Sequence, residues 1–463
     1  MGTVNLILVL LAITGVAYVM ARKRAITVAG GLRHIRNLHS LPSYYGAHTA
    51  LWMLLPVLIM MLFWGMSQSS VIENRLIDTL PASYQQMDRD ELSLVINEIS
   101  NLATGGITSG NESKPEYVAG AETFNALYNR AGWYRTLLAF ALAAVGFLLS
   151  WRLIHPDFRA RNRVESITRW VLLACSLVAI LTTLGILLSV IFEAIRFFQM
   201  IPLTDFLFGL QWSPQTAIRS DQVGSSGSFG AIPLFTGTLL IALIAMLVAT
   251  PVGLMTAIYL SEYASKRFRS FAKPALEVLA GIPTVVYGFF AVVTVGPFIS
   301  NTASLIGLDV TQGAALGVGL VMGIMIIPFV SSLSDDVINA VPQAMRDGSY
   351  GLGATQSETI KRVILPAALP GIVGGILLAI SRAIGETMIV VMAAGLSANL
   401  TANPLESVTT VTAQIVNLLV GDQEFDSAKT LAAFALGLVL FVVTLILNVI
   451  ALRVVRRYRE QYA

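Results

Sequence analysis

Arg382 and Glu386 stand inside the apolar run Leu377–Ile389. They are four residues apart, so on one unbroken helix they share a face. An ionised group at mid-bilayer costs at least about 2.5–3.5 kcal/mol. Such residues must lie near an interface, pair, or line water. Two readings follow. One is a structural ion pair between the two. The other is a polar cavity in which Arg382 meets an anionic solute, because a planar guanidinium can hold two oxygens of a phosphate-like oxyanion at once. In that second reading Glu386 keeps the arginine from trapping the ion. It also offers an acceptor to protonated phosphate, a hydrogen bond that sulfate cannot donate. Other charges near apolar runs read more simply. Glu277 sits just inside the sixth run and pairs with Lys273 or snorkels, and Lys429 reaches an interface. Asp335 and Asp336 read as solvated polar ends of the seventh run.

A second cluster of informative residues spans Ser334–Pro366. Asp335, Asp336, Asp347 and Glu358 slightly outnumber Arg346, Lys361 and Arg362, in a place where flanking connectors are basic. The pattern predicts two short helices. The first lies near Val341–Tyr350, with Pro342 at an allowed early position and Gly351 and Gly353 ending it. The second opens on Thr355-Gln356-Ser357-Glu358, a capping box, and ends before Pro366. A capped pair with a glycine hinge is a docking element.

The chain offers little else for chemistry. It contains no Gly-x-x-x-x-Gly-Lys-Ser/Thr loop for nucleotide phosphates. His34, His39, His48 and His155 are scattered, so no metal site and no catalytic residue is assigned. Cys175, the one cysteine, excludes a disulfide framework and reads as a small buried hydrophobe.

The elements that must carry these residues follow from composition. Of 463 residues, 55% are hydrophobic and 12% charged, where a soluble domain is roughly a quarter charged. A spanning helix needs about 20 apolar residues. Nine runs qualify, near residues 3–20, 48–66, 134–151, 170–192, 232–260, 275–299, 313–333, 368–396 and 429–452. The fold class is therefore all-α, a polytopic membrane helical bundle. Connectors alternate in charge. Arg22, Lys23, Arg24, Arg33 and Arg36 follow the first run, and Arg152, Arg159, Arg161, Arg163 and Arg169 follow the third. Lys266, Arg267, Arg269 and Lys273 follow the fifth, and Arg453, Arg456, Arg457 and Arg459 end the chain. The stretch 67–132 is acidic, and the connectors near 300–312 and 397–428 hold no Lys or Arg. Positive loops stay in the cytoplasm, which puts the N-terminus outside and the C-terminus inside. Nine spans satisfy that parity. The first run has its positive charges after it and reads as a retained anchor. A net charge of +3 gives no reason to expect a nucleic-acid partner.

The chain divides near residue 200. Residues 1–200 hold four spans and the acidic segment 67–132, read as a small, partly helical outer domain. Residues 201–463 hold five spans and the loop 334–366. Arg219–Gly230 reads as a mobile outer loop. Pro251, Pro283, Pro328 and Gly374-Gly375 interrupt the later spans, and such kinks favour a bundle around a cavity.

Asp347-Gly348-Ser349, three residues, Gly353, nine residues, then Val363-Ile364-Leu365-Pro366 resembles the EAA loop of ABC-importer permeases, with Asp for Glu, Gly and Ser for the two Ala, and Val for Ile. That resemblance implies a type I ABC-importer permease (MetI-like) core behind an N-terminal membrane extension. It also implies that Asp347, Gly348, Ser349, Gly353, Leu365 and Pro366 couple to an ATP-binding subunit. Ser381–Met388, Ile282–Gly288 and Phe206–Trp212 further resemble bacterial phosphate permeases, of the PstC type rather than the PstA type. The resemblance implies phosphate passage at Arg382 and Glu386, and a multi-pass protein of the bacterial inner membrane. The implied partners are a PstA-type permease, an ATPase dimer and a periplasmic phosphate-binding protein. No cofactor is expected in this chain, ATP being bound by the partner. A sulfate or molybdate permease, a secondary transporter and a membrane-embedded enzyme are the alternatives. The last would need clustered Asp, His or Ser, and Asp335-Asp336 has no histidine near it in sequence.

Overall fold

The computed structural model describes residues 2–81, 84, 87, 89–105, 114–214, 227–311, 313–420 and 427–459. Nine helices among the described residues are long and apolar enough to cross a membrane, as the hydropathy pattern predicts. Lipid offers the backbone no hydrogen-bond partners, so each spanning segment satisfies its own. Contacts divide the chain into Met1–Ile180 and Leu181–Ala463, and each unit is described by itself.

In the first unit, α1 (Thr3–Val28), α2 (Pro42–Thr79) and α4 (Pro115–Arg152) pack together. Their shared core is Leu6, Leu10, Met53, Val57, Ala139 and Ala143. Gly146 lets two backbones touch, since a Cβ there would collide with the Trp52 carbonyl. α2 and α4 run well past their apolar runs into the acidic stretch 67–132. There α3 (Arg89–Thr104) closes a small core of Leu76, Leu80, Ile99, Tyr117 and Ala121. α5 (Ala160–Met200) follows, and its stretch Trp170–Ile186 is exposed along its length. Cys175 lies on it and is exposed, not buried as its apolar neighbours suggested. Those neighbours are apolar because they suit lipid, not because they form a core.

In the second unit, α6 (Leu203–Phe208) leads into a two-residue strand pair, β1 (Trp212–Ser213) with β2 (Ser228–Phe229). Phe197, Phe206, Trp212 and Phe229 form an aromatic cluster. Of the segment expected as a mobile loop, Arg219–Ser226 lies outside the described residues. The tightest helix pairing joins α7 (Ile232–Ile258) to α11 (Ala315–Ala340). It is built on small residues: Gly319 faces Ile244, Gly323 faces the Ala245 carbonyl, and Gly253 faces Val330. In lipid, such close approach replaces the hydrophobic drive that water would provide.

The sixth span begins later than its hydropathy suggests. α8 (Lys266–Ala280) is a separate amphipathic helix, capped by the Ser265 hydroxyl accepting from the Phe268 amide at 3.3 Å. Gly281 and Ile282 end it, because a residue before proline is pushed out of the helical region. α9 (Thr284–Phe290) then restarts after Pro283 and runs through a wide turn into α10 (Gly296–Leu305). α12 (Gln343–Gly351) and α13 (Gln356–Thr359) follow α11. α14 (Leu365–Ile384), α15 (Met388–Ala393), α16 (Val411–Leu419) and α17 (Ala428–Arg459) complete the unit.

Candidate functional site

Arg382 stands in the last turn of α14. α14 runs antiparallel to α11, and two glycines register the pair. A Cβ on Gly371 would collide with the Val337 side chain, and one on Gly375 would reach Leu333 Cβ at 3.2 Å. Extending that register by two turns puts Arg382 level with about the middle of α11, deep in the bundle. Its guanidinium carbon lies 5.8 Å from the centroid of the Phe329 ring. Among the described residues it makes no hydrogen bond or ion pair. An aromatic face supplies roughly 0.5–2 kcal/mol to such a cation, far from full replacement of its hydration. The guanidinium therefore keeps its donors for water or a ligand. It lines a cavity of about 350 Å³ with Phe329, Ser331, Ser332, Lys273 and Asp335. A larger cavity of about 650 Å³ opens at the opposite end of α11, around Ser300, Asn301 and Met392. Its lining carries no charge, whereas the smaller cavity is lined by Arg382, Lys273, Glu277 and Asp335.

Glu386 does not share a helix face with Arg382. α14 stops at Ile384, Gly385 caps it, and Glu386 lies in the break before α15. There its carboxylate accepts from the Met388 and Ile389 amides at 3.1 and 3.4 Å. It thus satisfies the unpaired amides at the start of α15, where the helix dipole favours negative charge. The Thr412 hydroxyl donates to its carbonyl at 2.7 Å and ties the break to α16. The ion pair between Arg382 and Glu386 does not form. Spacing alone could not show this, because the four-residue rule assumes an unbroken helix.

Asp335 is the larger surprise. It is no solvated end: α11 continues to Ala340, and Asp335 is only 3% exposed. Its carboxylate accepts from Arg269 Nη2 at 3.0 and 3.1 Å, from Lys273 Nζ at 2.8 Å and from Asn339 Nδ2 at 2.9 Å. A buried carboxylate is tolerated when its lone pairs are this fully used. Asp336 is exposed and takes a longer contact from Lys273, 3.4 Å. Lys273 therefore pairs across to α11 and not with Glu277. Glu277 is exposed on α8, outside the span. The hydrogen bond to Asp335 holds the Lys273 ammonium above its usual range. Its contribution is complete below the ordinary lysine pKa of about 10.4 and is lost only as pH rises through the raised value. The contact is thus unaffected near neutrality. Arg269 and Lys273 sit four apart on one face of an amphipathic helix, which was the available signal. Their partner lies more than 60 residues away in sequence.

The docking loop has the caps that its sequence implies. Gly353 turns the chain after α12 with φ +86°, a conformation that costs other residues about 1–2 kcal/mol. Thr355 and Glu358 form the capping box. The second helix, however, does not end before Pro366. α13 passes through a wide turn, Ile360–Ile364, into α14, with Pro366 in the first turn of α14. Pro366 has no N–H to offer the Arg362 carbonyl, and the wide turn accommodates that loss. The second helix of the loop and the helix bearing Arg382 are therefore one run. Asp347 and Gly348 are exposed on α12, and Ser349 Oγ lies 2.9 Å from Thr359 Oγ1, tying α12 to α13. Ser349, Gly353, Met345 and Glu358 line a surface groove with Leu352, which is 92% exposed. Leu365 is half-buried at the foot of α14.

One anchor of this loop escapes sequence reasoning. Arg346 is buried and donates to the Val341 carbonyl at 2.6 Å, the Ile338 carbonyl at 2.8 Å and Glu262 Oε1 at 3.0 Å. Gln356 Nε2 donates to the Glu262 carbonyl at 2.6 Å. Both loop helices, α12 and α13, thus hold residue 262. A loop arginine normally reads as solvated, and nothing nearby in sequence marks this one.

A membrane helix bundle with a capped helical loop and an arginine-lined cavity fits a transporter component. Comparison with known proteins agrees. A family described as binding-protein-dependent transport system inner membrane component matches residues 249–460. One described as phosphate ATP-binding cassette transporter matches residues 7–182. The probable ABC transporter permease protein YqgH of Bacillus subtilis is 30% identical over 278 residues, covering 60% of this chain and 86% of the relative. The phosphate transport system permease protein PstC 1 of Mycobacterium tuberculosis is 33% identical over 277 residues, 54% and 81% of the two chains. PstC of Mesorhizobium japonicum is 31% identical over 265 residues, 53% and 76%. A solved bacterial alginate ABC transporter, in complex with an alginate-bound periplasmic protein, aligns with 63% of this chain and 96% of its own at 21% identity and a TM-score of 0.45. The chain belongs to the inner-membrane permeases of binding-protein-dependent transport systems, within the phosphate-permease branch of the PstC type. It is a multi-pass inner-membrane transport component and not an enzyme.

Proposed function

We propose that this chain forms one half of the path by which an ATP-driven importer carries inorganic phosphate across the membrane, with Arg382 as the intramembrane contact of the anion. The observation that carries the reading is an arginine deep in the bundle whose one complementary close neighbour among the described residues is the face of Phe329. An anion in hydrocarbon is prohibitively costly unless paired, and this guanidinium has its donors to give. Glu386 serves as a positioning residue, holding the break beside Arg382.

A PstA-type permease supplies the other half, a dimeric ATP-binding subunit docks on Asp347–Gly353 and the start of the Gln356–Ile384 run, and a binding protein delivers phosphate. The N-terminus lies outside and the C-terminus in the cytoplasm, as the basic connectors require. No cofactor is bound by this chain. ATP hydrolysis in the partner moves the docking helices, and the continuous run passes that movement to Arg382.

The test is uptake of labelled phosphate into vesicles holding the complete complex, with and without ATP, against sulfate and molybdate. ATP-dependent phosphate uptake insensitive to the other two anions supports the reading. Uptake of sulfate or molybdate in place of phosphate overturns the choice of anion, and uptake without ATP overturns the coupling.

A further inference from the structure

The cavity under Arg382 has a second cation at its far end. Lys273 lines it, clamped with Arg269 onto the buried Asp335. The lining then holds Arg382 and Lys273 against Glu277 and Asp335, so its formal charges cancel. As long as Asp335 occupies Lys273, an anion resting at Arg382 meets a carboxylate ahead of it, and among the described residues of this lining no second cation is free. The clamp is also connected to the docking loop. Arg346 and Gln356 hold Glu262 from the two docking helices, and α8, which carries Arg269 and Lys273, begins four residues later at Lys266. Asn339, one turn after Asp335 on α11, meets Arg269 Nη1 at 3.4 Å and Ser261 Oγ at 3.4 Å. A pull on α12 thus acts on the segment that leads straight into α8.

We infer that Lys273 is a second anion-contacting residue, masked by Asp335 as a resident stand-in anion until movement of the docking loop draws α8 from α11. The transported anion then passes from Arg382 to Lys273 and displaces the aspartate contact. The opposite order is disfavoured, since an exposed lysine without its aspartate would hold the anion in the cavity. This inference rests on the proposed phosphate path through Arg382.

The test is phosphate uptake and ATP hydrolysis by the complete complex in vesicles, comparing Lys273→Gln, Lys273→Arg, and Lys273→Gln combined with Asp335→Asn. The double change removes both charges together and leaves no unpaired buried carboxylate. At least a tenfold loss of uptake is expected in the first and in the double variant, with ATPase still copurifying and with Lys273→Arg retaining most activity. Recovery of uptake in the double variant would show that the lysine is only a counter-ion, and would overturn the inference. Should these variants fail to assemble, Lys273→Cys in a Cys175→Ser background gives a second reading. Its alkylation by a charged thiol reagent during ATP turnover is expected to slow severalfold with inorganic phosphate present, and a rate indifferent to phosphate overturns the inference. Arg382→Gln, run alongside, separates the two claims. Normal uptake in both Arg382→Gln and Lys273→Gln sinks the path itself, whereas normal uptake in Lys273→Gln alone sinks only the second contact.

Discussion

The two units bury polar side chains in opposite ways. In the first, His48 Nδ1 lies 3.1 Å from Ser150 Oγ, which lies 2.7 Å from Thr49 Oγ1, and Tyr45 donates to the Phe158 carbonyl at 3.0 Å. All of these groups are buried, and they satisfy one another across α2, α4 and the connector after α4. In the second, Arg382 faces a cavity and has no such partner among the described residues, while Lys273 on the same lining pairs with the buried Asp335. A closed polar network specifies packing; an open one leaves donors for something that passes. On the proposed function, the difference is what a scaffold beside a path would show.

Single substitutions put that contrast to the test. The largest effect on stability is expected at Arg346, which serves packing inside the working unit. Arg346→Ala leaves the largely buried Glu262 side chain without its cation, a loss of about 3–5 kcal/mol for a buried pair broken on one side. Thermal unfolding of the purified complex should shift down, and the ATPase should no longer copurify. Removing Glu262 as well should restore part of the shift, since residues in contact are not additive. An unchanged melting temperature in the single variant would deny the anchor. Next comes the closed network. Ser150→Ala strips His48 and Thr49 of a partner and should cost about 1–3 kcal/mol, while phosphate uptake at permissive temperature stays near normal. Uptake lost without loss of stability would move that cluster from scaffold to path. The smallest is Gly353→Ala, where φ +86° imposes about 1–2 kcal/mol of local strain. Global stability should hardly change, and ATPase stimulation by the loaded binding protein should fall severalfold. Full stimulation would show that the hinge does not matter for docking.

Much of this was legible in the sequence, and the failures share one cause. The spans follow from hydropathy, and the capping box and Gly353 follow from local backbone chemistry, which needs no tertiary context. Arg382 was legible because a charge in an apolar run is costly wherever it folds. What could not be read were pairings set by the fold. Asp335 looked solvated because its cationic partners are on α8, and Arg346 gave no sign of an anchor because Glu262 is distant in sequence. Glu386 looked like a partner for Arg382 because helical spacing was extended through Gly385, where the helix in fact stops. Cys175 looked buried because lipid-facing and core residues share one composition.

The most direct measurement is ATP-dependent phosphate uptake by the complete complex carrying Arg382→Gln, beside an assembly check by copurification. Uptake is expected to fall to background while the permease partner and the ATPase still copurify. Normal uptake in an assembled Arg382→Gln complex would contradict the claim that this arginine receives the anion.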